Sequence, residues 1–257
     1  MLRSLLPSPP PPYLTDLAKI PVLLSLAGGN DLEWRLSALR QLDFSVSSGV
    51  VLDGFFLTHE HTVPANRRTI GSADEISFPS KTVFELLPEI CKHLPTHLPR
   101  FLTGIWQPYD IAMAVKFGVD LFDGSFPYRL SRSAVAWIYP GWISKSQHST
   151  DEHFIVFPLA DVLPNGASLH TPIQPGCECS ACARYTRLYI SHLHITREIL
   201  GAMLLMIHNS HQFYRFFEDI RLAAERDRMD EFILFSKSLC IPYKLLTVDR
   251  TRLITSN

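Results

Sequence analysis

Three thiols crowd one short window, Cys177-Glu178-Cys179-Ser180-Ala181-Cys182. Thiolate is a soft donor suited to zinc, and a structural zinc site closes with four tetrahedral ligands. Three cysteines leave one position to fill. His192, His194, His208 and His211 all follow within reach, and spacing alone does not choose among them. His208 stands well down the helical stretch beyond the loop. At about 1.5 Å of rise per residue, the loop must fold back along that helix, or the helix must break first. The other two cysteines, Cys91 and Cys240, are solitary. That usage fits a reducing, cytoplasmic compartment and not a disulfide framework.

The elements that must position these residues follow from the hydropathy pattern. Val22 to Leu26 is a short apolar run that ends at Gly28-Gly29, as a buried strand would. Asn30-Asp31 can cap a helix over Leu32 to Leu42. Gly49 to Leu52 is strand-like and ends at Asp53-Gly54, and a helix is predicted from about Ser80 to Leu94. Phe101 to Gly104 reads as a third strand, Pro108 to Phe117 as a third helix, and Val119 to Asp123 as a fourth strand. Short apolar strands alternating with amphipathic helices argue for a parallel α/β architecture. Four strands are too few to close a barrel of about eight. The sheet is therefore open, or it is the later half of a barrel.

The chain divides on this pattern into four stretches. Residues 1–20 are a proline-rich lead-in expected to be disordered, and 21–137 hold the βα units. Residues 138–176 form a long loop or insertion, and 177–257 a helical, zinc-binding subdomain. An apolar stripe runs from Tyr185 through Leu188, Tyr189, His192, Leu193, Leu200, Met203 and Leu204 to Ile207, and a further helix is predicted over Phe213 to Arg226. The 257 residues carry 24 basic against 25 acidic side chains, for a net charge of -1. Any affinity for nucleic acid must come from a local patch. No apolar run approaches the roughly 20 residues that span a bilayer, so no intrinsic membrane anchor is expected.

Cys177-x-Cys179-x-x-Cys182-x-x-Tyr185-x-Arg187-x-Tyr189-Ile190-x-His192-Leu193, then Glu198-Ile199-Leu200-Gly201, then His208-Asn209, resembles the zinc-binding region of the tRNA-guanine transglycosylases. The resemblance covers roughly residues 20 to 235. It implies a (β/α)8 TIM-barrel fold, here only its later βα units with the N-terminal portion lacking, followed by the zinc subdomain. It implies one Zn(2+) per chain, with His208 as the fourth ligand. Gly118-Val119-Asp120-Leu121-Phe122-Asp123 is similar to the family strand whose last Asp is the nucleophile, which points to Asp123. Arg129 and Arg132 fall where relatives present arginines to the tRNA backbone. Gln107 stands where catalytic members have a Lys.

Other segments depart from the catalytic pattern. Leu26-Ala27-Gly28-Gly29 replaces Val-Gln-Gly-Gly, and Ala27 has no amide with which to read a base. The segments Leu52-Asp53-Gly54-Phe55 and Phe126-Pro127-Tyr128 resemble the eukaryotic accessory-subunit branch of queuine tRNA-ribosyltransferase. That branch implies a non-catalytic subunit in a heterodimer with the catalytic subunit. The pair would support the exchange of guanine for queuine at wobble position 34 of tRNAs with GUN anticodons (Asp, Asn, His, Tyr). The apolar stripe and the segment Phe213, Tyr214, Phe216, Phe217 would supply the contact. The branch also implies docking, through a partner, at the mitochondrial outer membrane. The competing expectation is an active transglycosylase using Asp123 as nucleophile.

Overall fold

The computed structural model describes residues 21–55, 81–143, 153–159 and 168–246. The expected proline-rich lead-in, the polar stretch after Phe55 and parts of the 138–176 insertion lie outside those residues. The described residues form two compact units, one of 21–55, 81–103 and 117–122, the other of 104–116, 123–143, 153–159 and 168–246.

The first unit is built on a parallel sheet of β1 (Leu23–Leu26), β2 (Gly49–Leu52), β3 (Arg100–Leu102) and β4 (Leu121–Phe122), in that order. Leu24 pairs with Val50, Val51 with Phe101, and Leu102 with Phe122. This is a partial α/β, barrel-like core. Each apolar run becomes a strand because its side chains can be buried; Leu26, Val50, Leu52 and Leu102 have no exposed surface. Helix α1 (Leu32–Arg40) starts where Asp31 accepts a hydrogen bond from Trp34 N at 3.0 Å. Helix α2 (Lys81–His93) buries Val83, Leu86, Leu87 and Ile90, the three- and four-residue spacing of one helical face.

The second unit begins with α3 (Pro108–Lys116). Pro108 suits the first turn, and Asp110 reaches back to accept from Gln107 N at 3.2 Å, the reciprocal half of a capping box. Then come α4 (Ser125–Arg132) and β5 (Val135–Trp137). β5 pairs antiparallel with β6 (Phe154–Val156), which lies inside the stretch expected to be an irregular insertion. The remaining helices are α5 (Ser180–Arg184), α6 (Arg187–Ile195), α7 (Ile199–Glu225), α8 (Met229–Ser238) and α9 (Tyr243–Leu246).

Two expectations change here. The helix predicted from Phe213 is the second half of α7, a single 27-residue helix. The stretch before it breaks twice, once after Arg184 and once at Thr196–Glu198, where Arg197 takes φ 59°. The apolar stripe is therefore divided between helices. Leu193 and Leu204 are core, whereas Ile199, Met203 and Ile207 are exposed. The aromatic segment is not an exposed patch: Phe213 and Phe216 are buried, and only Tyr214 among the four is strongly exposed.

Candidate functional site

The cysteine loop is tied to α5. Cys179 is the residue before that helix, and its sulfur accepts from Cys182 N at 3.3 Å. Cys179 and Cys182 sit in a core with Ala134, Ala136, Phe157, Ile190, Leu193, Leu204 and others. The break at Thr196–Glu198 lets α7 run back past the loop. It delivers His208 to the three sulfurs, which lie 3.8, 3.7 and 3.4 Å from His208 Nδ1 for Cys177, Cys179 and Cys182.

All four ligand atoms lie within 4.8 Å of one another. With metal–sulfur bonds of about 2.3 Å and metal–nitrogen bonds of about 2.0 Å, the edges of a tetrahedron come to roughly 3.5–3.8 Å. The donor set and the spacing suit one zinc ion per chain in a closed, structural site. The rival histidines are placed elsewhere. His192 is exposed, and His194 stacks on Phe157 with ring centroids 5.8 Å apart.

The imidazole is oriented from behind. His208 Nε2 is 2.9 Å from Trp137 O. Nε2 therefore carries the proton, and Nδ1 turns its lone pair to the sulfurs. Without metal, burial lowers the His208 pKa, but the Cys177 and Cys179 sulfurs outweigh it and raise it to about 8. Hydrogen bonds from Cys177 and Cys182 hold Cys179 far below the ordinary thiol range, and Cys177 and Cys179 push Cys182 up.

The adjacent residue completes the arrangement. Asn209 Oδ1 accepts from Trp137 N at 2.8 Å, and Asn209 Nδ2 donates to Val135 O at 2.9 Å and to Ser131 Oγ at 3.2 Å. His208 and Asn209 together satisfy the edge of β5 that does not face β6. Sequence reasoning treated Asn209 only as part of a motif. A buried amide beside a ligand was the available signal.

Asp123 follows β4 and precedes α4. Its Oδ1 accepts from Ser125 N at 2.9 Å and its Oδ2 from Gly104 N at 2.9 Å. Two backbone donors fix the direction of this half-buried carboxylate. Arg132 is half-buried in the last turn of α4.

Arg129 departs from the expected solvent-facing fork. It is 4% exposed, and its Nε donates to Leu246 O. Gln107 is also turned inward, 4% exposed, with Oε1 accepting from Ile241 N at 2.7 Å. Arg187 donates to the carbonyls of Pro172 and Ile173, which braces the segment leading into the cysteine loop.

In the first unit, sequence reasoning missed Arg35. Its guanidinium has no exposed surface and donates to Leu26 O at 2.9 Å, Gly29 O at 2.7 Å and Asp53 O at 2.9 Å. It lies 3.7 Å over the Phe55 ring. Burial lowers its pKa to about 10, against the opposing pull of Asp53. One arginine thus joins the carboxyl ends of β1 and β2, the end of a parallel sheet at which ligands collect. Gly28 leaves room for it: a Cβ there would meet Arg35 Cγ at 2.7 Å.

A closed Cys3His centre in a helical subdomain, in a chain that also builds a parallel α/β core, defines a zinc-binding α/β protein. Residues 28–236 match the family described as queuine tRNA-ribosyltransferase, and the chain belongs to that family. It is similar to the queuine tRNA-ribosyltransferases of Vibrio parahaemolyticus, 34% identical over 157 residues, Vibrio cholerae, 33%, and Aliivibrio fischeri, 32%. Each match covers 60% of this chain and 37% of the relative.

These relatives overturn the accessory-subunit expectation. They are bacterial proteins named for the ribosyltransferase itself. The non-catalytic role, the heterodimer with a separate catalytic subunit and the docking at the mitochondrial outer membrane fall with it. The structure gives a physical reason. Each segment that carried that expectation is anchored by packing residues: Leu52 and Phe55 are core, Phe55 underlies Arg35, and Phe126 is buried edge-on against Trp137 at 5.4 Å, whereas Asp53 and Tyr128 are exposed. Among the described residues, no helix is long and apolar enough to cross a membrane.

Proposed function

We propose that this chain is catalytic and carries out the tRNA-guanine transglycosylase reaction, exchanging guanine for queuine at the wobble position of tRNAs with GUN anticodons. In this reading its core is the later part of a TIM barrel. The observation that carries the proposal is the Asp123 carboxylate, aimed by Gly104 N and Ser125 N in a member of this family.

Asp123 is the nucleophile. One carboxylate oxygen attacks the ribose C1′, the bond from C1′ to the guanine nitrogen breaks, and guanine leaves with the bonding pair and takes up a proton. The incoming base then attacks C1′, loses its proton and releases the carboxylate. Each Asp123 oxygen keeps lone-pair capacity beyond its one backbone bond, so the group need not give up its orientation to react. Arg132 is the side chain proposed to meet the tRNA backbone. The zinc, held by Cys177, Cys179, Cys182 and His208, is structural. A tRNA substrate and reduced thiols fit the cytoplasm.

The test is incorporation of labelled base into guanine-containing tRNA by the purified chain, with the covalent tRNA adduct followed on denaturing gels. Incorporation and adduct are both expected, and Asp123→Asn should abolish both. Failure of the zinc-loaded, folded wild type to incorporate base, or full retention by Asp123→Asn, would overturn the proposal.

A further inference from the structure

Three thiolates around one divalent ion leave net negative charge in a buried site, and each sulfur then needs a hydrogen-bond donor. Cys179 receives Cys182 N, and Cys182 is served by the backbone of Gln174. Cys177 is served by a side chain instead, Gln212 Nε2, at 3.2 Å. Gln212 has no exposed surface. It stands one turn beyond His208 on α7, on the same face.

The amide cannot turn around freely. Arg215 Nη1 donates to Gln212 Oε1 at 3.4 Å, so the nitrogen is left facing the sulfur. Arg215 is itself anchored, with Nη1 3.5 Å from Tyr139 O and its guanidinium 5.8 Å from the Tyr139 ring. Leucine or methionine would fill this buried position without the cost of desolvating an amide. The bond also sits at the weakest point of the centre, because Cys177 is the one ligand of the four that is not buried.

We infer that Gln212 is a positioning residue of the zinc centre. Its N–H···S hydrogen bond holds the Cys177 sulfur in its ligating position and keeps the metal from leaving. Arg215 acts through it by fixing the orientation of the amide.

The experiment uses the full zinc-loaded chain. Transfer of zinc to excess 4-(2-pyridylazo)resorcinol gives the affinity, and the sulfur-to-metal charge-transfer band of the cobalt(II)-substituted chain reports the Cys177 bond. Gln212→Leu is expected to weaken zinc binding about 10- to 100-fold and to shift the band. Gln212→Glu, which replaces the donor with an acceptor, should be at least as weak. A purely structural role would destabilise the metal-free and zinc-loaded forms alike and leave the affinity and the band unchanged. Arg215→Met leaves the core side chain in place and should weaken binding by a smaller factor, which reads the same bond if Gln212→Leu does not fold. Zinc affinity within about twofold of wild type and an unchanged band, in Gln212→Leu or, where that fails to fold, in Arg215→Met, would overturn the inference.

Discussion

Asn209→Ala should be among the most damaging single changes in the helical unit. Asn209 is fully buried and supplies the partners of Trp137 N and Val135 O, at 2.8 and 2.9 Å. Both backbone groups lie on the β5 edge that β6 does not reach, because β6 uses Ala134 O and Ile138 N through Phe157 N and His153 O. Truncation strands one donor and one acceptor in a dry core. Each costs about 1–3 kcal/mol, so the expected loss is about 2–6 kcal/mol. That is a large share of the roughly 5–15 kcal/mol that holds a typical domain together. The assay is urea unfolding of the zinc-loaded chain, followed by tryptophan fluorescence. Asn209→Asp keeps the acceptor for Trp137 N but sets a carboxylate against Val135 O, so it should be no more stable than the alanine variant. A loss below about 1 kcal/mol with an unchanged denaturant dependence would show that β5 does not depend on this amide, and the reasoning would fail.

Two further predictions concern buried charges. Burial raises the Asp110 pKa from 3.8 to about 6, against the lowering effect of Gln107 N. The folded form therefore holds the proton where the unfolded form has lost it, and stability should fall as pH rises between about 4 and 6, by about 3 kcal/mol. Asp110→Asn, which keeps an acceptor for Gln107 N, should remove that slope and stabilise the chain at pH 7, and pH-dependent urea unfolding of both forms checks it. Arg35→Lys keeps the charge but cannot reach the carbonyls of Leu26, Gly29 and Asp53 together. A loss of about 2–4 kcal/mol in unfolding free energy is expected, and a loss near zero would show that the planar fork is dispensable.

The parts of the fold legible in the sequence are those set by local rules. The four parallel strands were visible as apolar runs. α1 and α3 were visible from an Asp cap and a proline at the first turn. The cysteine loop was visible because three thiols in one window have few other uses. The missed parts depend on distant partners. β5 is three residues long, and it becomes a strand only because β6, across a long connection, and Asn209 take its two edges. No helix was assigned over Ser125–Arg132, where Pro127 is accommodated because it falls in the first helical turn. Arg129 was expected, with Arg132, where relatives present arginines to the tRNA backbone, and its side chain is buried. Its partner, the Leu246 carbonyl, lies 117 residues away, and no local pattern announces it. The turn at Thr196–Glu198 has Arg197, not glycine, at φ 59°, so nothing in the sequence marked the break that brings His208 back.

That break explains why the fourth ligand is the histidine beside Asn209 and not one nearer to the cysteines. His192 and His194 lie on α6, where His192 is exposed and His194 stacks on Phe157. His208 has Trp137 O on one ring nitrogen and the sulfurs on the other, so the ring spans the strand and the loop as a rigid strut. The next residue then meets the neighbouring groups of the same strand. Binding zinc at Nδ1 therefore joins three distant segments, 135–137, 177–182 and 208–209, and ties the short strand and the cysteine loop to the long helix α7. A metal ligand in this position does the work that a longer sheet would otherwise have to do.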